Sequence, residues 1–155
     1  MLLKDKNVII TGATRGIGKG IAIEFAKQGA NIAFTYSRSV DEAMALEKEL
    51  SKFGVKAKSF QSDASNYDDS HELIESILLD FDTIDVLVNN AGITKDNLTI
   101  RMSLEEWSKV ININLTSTFL MCKHSIKKML KNKSGKIINI TSVVGHTGNV
   151  GQANY

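Results

Sequence analysis

Three closely spaced glycines are the first residues whose types and spacing indicate chemistry. Gly12, Gly16 and Gly18 follow a short apolar run at residues 7–11 and precede residues 17–29, where apolar side chains recur at helical spacing. Glycine lets the backbone turn tightly and approach a ligand closely, and the first N–H groups of a helix attract phosphate. The alternative is that these glycines serve turn geometry alone. The pattern favours a phosphate-binding turn, with expected contacts from Gly12, Thr14, Arg15, Gly16, Ile17 and Gly18.

The end of the second predicted strand, at residues 31–36, indicates which dinucleotide could bind. An acidic residue about 20 positions after the glycines would hold the ribose 2′-hydroxyl of NAD, but none precedes Asp41 here. A guanidinium can instead hold a phosphate through two parallel hydrogen bonds. We interpret Arg15 and Arg38, assisted by Ser37, as a site for the 2′-phosphate of NADP(H). Two solvated surface arginines are the alternative.

Predicted strands and helices alternate along the chain, which places this turn in a recognisable architecture. The predicted strands are residues 7–11, 31–36, 55–61, 84–88 and 136–141. The predicted helices are residues 17–29, 41–53 and 67–81, then a helical region over 103–130 in which a bend is an open alternative. Nearly continuous apolar strands separated by helices favour an α/β fold with a parallel sheet that is covered by helices on both faces. We expect one domain over residues 1–155 and a loop from Ser142 to Tyr155.

Composition excludes several classes of protein. The 155 residues are 43% hydrophobic and 23% charged, which is typical of a globular domain. No apolar run reaches the roughly 18 residues of a membrane span, and no secretory signal is visible, so we expect a cytoplasmic protein without a membrane partner. A single cysteine and three histidines without ligand spacing predict no disulfide framework and no metal site.

Charge is distributed unevenly along the chain. All 17 acidic residues lie within residues 1–106, whereas residues 107–155 carry seven lysines. A solvated helix face is one interpretation of this basic segment, and a surface for an anionic partner is the other. Its lysine cluster at residues 123–136 has no arginines and no interleaved aromatic residues of the kind that nucleic-acid recognition uses, so we expect no nucleic-acid partner.

The residues after the fourth predicted strand make the resemblance specific. Residues 89–92 read Asn-Asn-Ala-Gly, and together with the glycine pattern of residues 11–18 they resemble the short-chain dehydrogenase/reductase family. The resemblance implies that Asn90, Ala91 and Gly92 contact the cofactor. It also implies that Asp63 and Ala64, after the third predicted strand, contact its adenine.

The same resemblance implies a set of catalytic residues. Asn114 matches the family's structural and proton-relay asparagine, Ser142 its carbonyl-binding serine, and Tyr155 its proton-donating tyrosine. A free phenol has a pKa near 10, so proton transfer at neutral pH needs a nearby cation. The family supplies a lysine four residues after the tyrosine, and this sequence ends at Tyr155. We therefore expect residues 1–155 alone to be inactive.

Longer motifs narrow the resemblance within the family. Residues 89–98, 101–102, 142–145 and 148–155 are similar to the 3-oxoacyl-acyl carrier protein reductases of fatty-acid synthesis. This implies NADPH-dependent reduction of a 3-oxoacyl group on acyl carrier protein, with Gln152 on the substrate side and Lys127 and Lys128 contacting the carrier. The alternatives are a related reductase acting on acyl-CoA or another small ketone, and a non-catalytic nucleotide-binding piece.

The resemblance also carries an expectation about completeness and assembly. The resemblance implies an α/β fold of Rossmann type, with a doubly wound parallel sheet in the order 3-2-1-4-5. The family fold has seven strands and five are predicted here, so we expect this chain to be part of a longer protein and to lack the last strands of the family fold. The fifth strand would then be an exposed apolar edge. The family implies a homotetramer for the full-length protein.

Overall fold

A parallel sheet of five strands forms the centre of the computed structural model, which describes residues 1–63 and 66–155. The strands are β1 (Asn7–Ile10), β2 (Asn31–Tyr36), β3 (Ala57–Gln61), β4 (Val86–Asn89) and β5 (Lys136–Asn139). Each neighbouring pair is parallel, and the order is β3-β2-β1-β4-β5. The predicted fold class and strand order are confirmed. The third and fifth strands are shorter than predicted.

Helices cover both faces of the sheet because its central strands are apolar on both sides. They are α1 (Gly16–Lys27), α2 (Val40–Ser51), α3 (Tyr67–Asp80), α4 (Leu104–Ile111), α5 (Ser117–Lys131) and α6 (Val144–Thr147). Ile10 of β1 lies in one core with residues of α1 and α2, whereas its neighbour Ile9 lies in a second core with residues of α3 and α5. This alternation follows from the two-residue period of a strand. Burying each such side chain contributes about 1.5–3 kcal/mol.

The predicted helical region over 103–130 consists of two α-helices joined by a π-helical turn. α4 begins with a capping box, in which Ser103 Oγ accepts from the Glu106 N–H at 3.1 Å and Glu106 Oε2 accepts from the Ser103 N–H at 2.9 Å. The π turn spans Asn112–Thr116, and α5 follows without a break. Such turns insert an extra residue into a helix and are frequent at functional sites.

One predicted loop contains a short helix. The segment from Ser142 to Tyr155 includes α6, so the prediction of loop throughout is wrong at these four residues. Ser142 Oγ accepts from the Val144 N–H at 3.3 Å, and Gly148 ends the helix with a φ of +69°. A single turn held by local hydrogen bonds is too short to leave a periodic signal in the sequence.

The β5 strand is the exposed edge of the sheet within the part of the chain that the structure describes. It pairs with β4 on one side, and three of its four residues are exposed. Ile138 keeps 40% of its surface accessible. No helix among the described residues is long and apolar enough to span a membrane.

Candidate active site

The glycine-rich turn adopts a conformation that only glycine accommodates at three positions. Gly12 and Gly16 have φ values of +65° and +57°, in the left-handed region. A Cβ at Gly12 would lie 3.0 Å from Ala91 Cα, and a Cβ at Gly18 would lie 2.6 Å from the Gly12 carbonyl oxygen and against the Asn90 amide. The turn therefore needs glycine for its backbone angles at two positions and for close packing at positions 12 and 18.

Thr11 connects this turn to the loop that follows β4. Its Oγ1 accepts from the backbone N–H groups of Asn90 and Ala91, both at 3.0 Å. In return, Asn90 Nδ2 donates to the carbonyl oxygens of Thr11 at 3.0 Å and Gly12 at 2.9 Å. Thr11 has no predicted role of its own. The signal was its place as the first residue after β1, beside the end of β4.

The amino end of α1 fits a phosphate group. Its first N–H groups, those of Gly16, Ile17 and Gly18, have no intrahelical acceptor, and no side chain caps them. The first turn contains no acidic residue that would compete for the positive end of the helix dipole. Apart from Gly16 itself, its chain neighbours and the nearby backbone of α1, no described heavy atom lies within 4 Å of the position that a Cβ would take at Gly16, so the outer side of the turn is open. These free donors beside open space match the predicted anion site.

A groove of about 1410 Å³ runs beside this turn along the carboxyl edge of the sheet. Its lining includes the predicted cofactor residues Thr14, Arg15, Ser37, Arg38 and Asp63. Neither Arg15 nor Arg38 pairs with an acidic side chain within residues 1–63 and 66–155, so both guanidinium groups are available to a ligand. Ala64, the other predicted adenine contact, lies outside the described residues.

A second cleft, of about 790 Å³, adjoins this groove. Both are lined in part by Arg15 and Ile93. The cleft brings together predicted residues from five separate parts of the chain. They are Arg15, Ile17, Asn90, Ala91, Gly92, Asn114, Ser142 and Tyr155. All three predicted catalytic residues therefore line one cleft that opens beside the glycine-rich turn.

Asn114 lies in the middle of the π turn with both ends of its amide engaged. Its Oδ1 accepts from the Ile93 N–H at 2.8 Å, and its Nδ2 donates to the Ile93 carbonyl oxygen at 2.9 Å. A Cβ at Gly92 would lie 3.4 Å from Asn114 Oδ1, so the loop after β4 passes close to this side chain. Asn114 thus holds that loop against the π turn, which is a structural role.

Ser142 and Tyr155 present hydroxyl groups to the same cleft. Ser142 follows β5, and its Oγ accepts from the Val144 N–H at 3.3 Å. The backbone N–H of Tyr155 donates to the Gln152 carbonyl oxygen at 3.1 Å, and 42% of the residue is exposed. No side chain in the described parts of the chain donates to or accepts from the Tyr155 hydroxyl at hydrogen-bonding distance. A phenol and a hydroxyl that line one cleft could both reach the oxygen of a bound carbonyl compound.

The three predicted substrate and carrier residues outside this cleft have different surroundings. Gln152 lies away from the cleft lining, and its Nε2 donates to Asp96 Oδ1 at 3.1 Å. Lys127 is exposed on α5. Lys128 pairs with Glu75 of α3 at 2.8 Å, and this hydrogen bond lowers the pKa of the Glu75 carboxyl. The charge of Lys128 is therefore largely compensated, and Lys127 is the freer of the two lysines.

Histidines and acidic residues form no metal-binding group in the described parts of the chain, where no cluster of three or more potential ligands occurs. His71 and His124 contact each other edge to face, with ring centroids 5.2 Å apart, between α3 and α5. Burial lowers the pKa of His124. This pair packs two helices together on the second core, away from both cavities.

The fold and the cleft agree with the comparison to known families. The family model described as short chain dehydrogenase matches residues 6–155. The chain belongs to this family.

Named relatives point to one branch of it. The chain is 45% identical, over 97% of its length and 62% of the relative's, to the 3-oxoacyl-[acyl-carrier-protein] reductase FabG of Staphylococcus epidermidis. It is 50% identical, over 95% of its length and 60% of the relative's, to the 3-oxoacyl-[acyl-carrier-protein] reductase of a Synechocystis species. For the FabG of Staphylococcus aureus the identity is 43%, over 97% of this chain and 61% of the relative. The chain thus spans about three-fifths of the length of these relatives.

Proposed function

We propose that this protein serves in the NADPH-dependent reduction of a 3-oxoacyl group on acyl carrier protein to the 3-hydroxyacyl product. One observation carries the proposal: Asn114, Ser142 and Tyr155 line a single cleft that continues into the groove containing Arg15 and Arg38. The names of the relatives supply the substrate class.

The cofactor would be held by the glycine-rich turn and the loop after β4. The free N–H groups at the start of α1 would bind its phosphates, and Arg15, Arg38 and Ser37 would bind a 2′-phosphate. Asn90, Ala91 and Gly92 line the adjoining cleft. The guanidinium pair and the absence of an acidic residue at positions 36–39 support NADP(H) over NAD(H). When bound, the cofactor supplies the hydride for the reduction.

The chain's own residues would donate the proton and stabilise the developing negative charge. As the 3-keto carbon is reduced, charge accumulates on its oxygen. The Ser142 hydroxyl donates a hydrogen bond that orients this oxygen, and the Tyr155 phenol donates the proton. Asn114 keeps the loop after β4 in place through Ile93. The predicted proton-relay role of Asn114 stays a proposal.

Lys127 on the exposed face of α5 supports an acidic carrier as partner, because its ammonium group forms no salt bridge with the described acidic residues and stays accessible, although Glu75 is near enough to interact with its charge. Its α5 neighbour Lys128 contributes less positive charge to this surface, since it forms a salt bridge with Glu75. The homotetramer and the cytoplasmic location implied by the resemblance belong to the same proposal.

The decisive experiment separates binding from turnover. NADPH and NADH binding are measured by fluorescence titration of residues 1–155, and NADPH oxidation is followed with the product of the intact gene on a 3-oxoacyl-acyl carrier protein. We expect preferential NADPH binding in the first assay and carrier-dependent turnover in the second. Turnover of acyl-CoA or small ketones alone would favour a related reductase, and binding without any turnover a nucleotide-binding protein. Full activity from residues 1–155 would contradict the expectation that the proton donor needs a cation beyond them.

A further inference from the structure

Two segments that are distant in sequence meet beside Tyr155. One lies between β4 and α4, and the other directly precedes Tyr155. The Asn97 N–H donates to the Gly151 carbonyl oxygen at 2.9 Å. Gln152 Nε2 donates to Asp96 Oδ1 at 3.1 Å. The backbone that carries Tyr155 is therefore attached to the segment before α4 rather than only to β5.

Asn154 makes the most buried of these connections. Only 5% of its surface is exposed, and its Nδ2 donates to the Lys95 carbonyl oxygen at 2.9 Å and to the Glu106 carbonyl oxygen at 3.3 Å. Its Oδ1 is buried, and no described residue donates to it. A buried acceptor without a donor costs free energy. The Asn154 amide is therefore held through its two donations, which join the segment before Tyr155 to the segment before α4 and to α4 itself.

We propose that Asn154 is a positioning residue for Tyr155. This inference rests on the proposed function, which makes the Tyr155 phenol the proton donor. The two residues are adjacent, so fixing the Asn154 side chain fixes the backbone from which Tyr155 projects into the cleft. The phenol has no hydrogen bond of its own to the described residues. The position from which the Tyr155 side chain leaves the backbone is therefore set by that backbone, and the buried Asn154 side chain holds that backbone in place.

One of the two acceptors of Asn154, the Glu106 carbonyl oxygen, belongs to the first turn of α4. Glu106 closes the capping box with Ser103, and Glu106 Oε2 also accepts from Asn97 Nδ2 at 3.1 Å. A chain of contacts therefore runs from the cap of α4 through Asn154 to Tyr155. The first turn of α4 therefore holds Asn154 and, through it, the backbone of Tyr155.

Fluorine NMR tests this role without depending on catalysis. The protein is labelled with 3-fluorotyrosine, which gives one signal each for Tyr36, Tyr67 and Tyr155, assigned by Tyr155→Phe. We expect Asn154→Ala to move the Tyr155 signal towards that of free fluorotyrosine and to leave the other two in place. The control is Val150→Ala, which shortens an exposed side chain in the same segment and is expected to move none of them.

Three results would overturn the proposal. They are an unmoved Tyr155 signal in Asn154→Ala, an equal shift in Val150→Ala, and a common displacement of all three signals, which would assign Asn154 to the fold as a whole. NADPH affinity is measured on the same samples and should not change in Asn154→Ala. Absence of NADPH binding in the unsubstituted protein would contradict the proposed function and leave the fluorine result readable.

A second measurement needs no substitution, so it decides the matter even where Asn154→Ala does not fold. Hydrogen exchange of the unsubstituted protein is followed as urea rises. The N–H groups of Asn97 and Tyr155, which donate to Gly151 and Gln152, should become exchangeable together and before those of β1. Opening of Tyr155 at a lower urea concentration than Asn97 would overturn the proposal.

Discussion

Asn114 and Ile93 form a closed pair of hydrogen bonds, in which one side-chain amide satisfies both the N–H and the carbonyl of one backbone residue. The distances are 2.8 and 2.9 Å, and 21 residues separate the two in sequence. An amide is the one uncharged side-chain group that can donate and accept in this parallel fashion. The loop after β4 thereby gains the kind of pairing that a neighbouring strand would give it.

Replacing Asn114 with alanine should destabilise the protein and loosen the loop after β4. Both polar groups of Ile93 would lose their partners in a half-buried place, at a cost of about 1–3 kcal/mol. Urea denaturation measures the loss. Asn112→Ala is the matched control for stability, because it removes an exposed asparagine from the same π turn, and its effect should stay within about 0.5 kcal/mol. Equal losses in the two variants would contradict the structural role of Asn114.

Two glycines of the turn should respond differently to alanine. At Gly18 the new Cβ would meet the Gly12 carbonyl and the Asn90 amide, so Gly18→Ala should cost about 3 kcal/mol and weaken cofactor binding. At Gly16 there is open space and only the positive φ to overcome, so Gly16→Ala should cost about 1 kcal/mol. Thermal or urea unfolding of both variants checks the order. The reverse order would show that the turn packs differently from the structure.

Arg38→Asp should shift cofactor preference from NADPH towards NADH. Loss of a charge-assisted hydrogen bond to the 2′-phosphate, worth about 1.5–3 kcal/mol, corresponds to roughly 10- to 100-fold weaker NADPH binding. The new carboxylate could accept from the ribose hydroxyls of NADH. Fluorescence titration with both cofactors measures the change. Arg101→Asp, the same charge reversal at an exposed arginine outside both cavities, should leave the preference unchanged.

The capping box should make stability depend on pH through Glu106. Hydrogen bonds from the Ser103 backbone N–H and from the Asn97 side chain lower the pKa of Glu106 below its ordinary value of 4.5. The folded state then binds this proton less readily than the unfolded state, so the carboxylate contributes stability above pH 4.5 that is lost as pH falls through the folded pKa. The difference in unfolding free energy between the unsubstituted protein and Glu106→Gln should shrink on acidification. A difference that does not vary between neutral and acidic pH would contradict this assignment.

The features that depend on local pattern could be predicted from the sequence. The continuous apolar runs indicated the strands, and the glycines at positions 12, 16 and 18 indicated the turn, because each needs only near neighbours to be recognised. The order of the strands came from the family resemblance. The capping box of Ser103 and Glu106 is likewise a local pattern, since its two residues lie three positions apart.

The features that depend on long-range contacts could not be predicted in this way. Thr11 joins residues 79 and 80 positions away, and Asn154 donates to residues 59 and 48 positions away. Neither residue carries a local pattern that distinguishes it from an ordinary polar residue. The π turn could not be predicted for a related reason, since an inserted residue leaves the apolar spacing of α4 and α5 intact within each helix.

That inserted residue sets the rotational phase between α4 and α5. Each residue turns an α-helix by roughly 100°, so removing one from the π turn would rotate all of α5 by that angle against α4. Met121 and Met129 would then leave the core beneath the sheet, and Asn114 could no longer face Ile93. The number of residues in the π turn therefore fixes both the packing of α5 and the support of the loop after β4. A deletion in this turn is for that reason far more damaging than most substitutions.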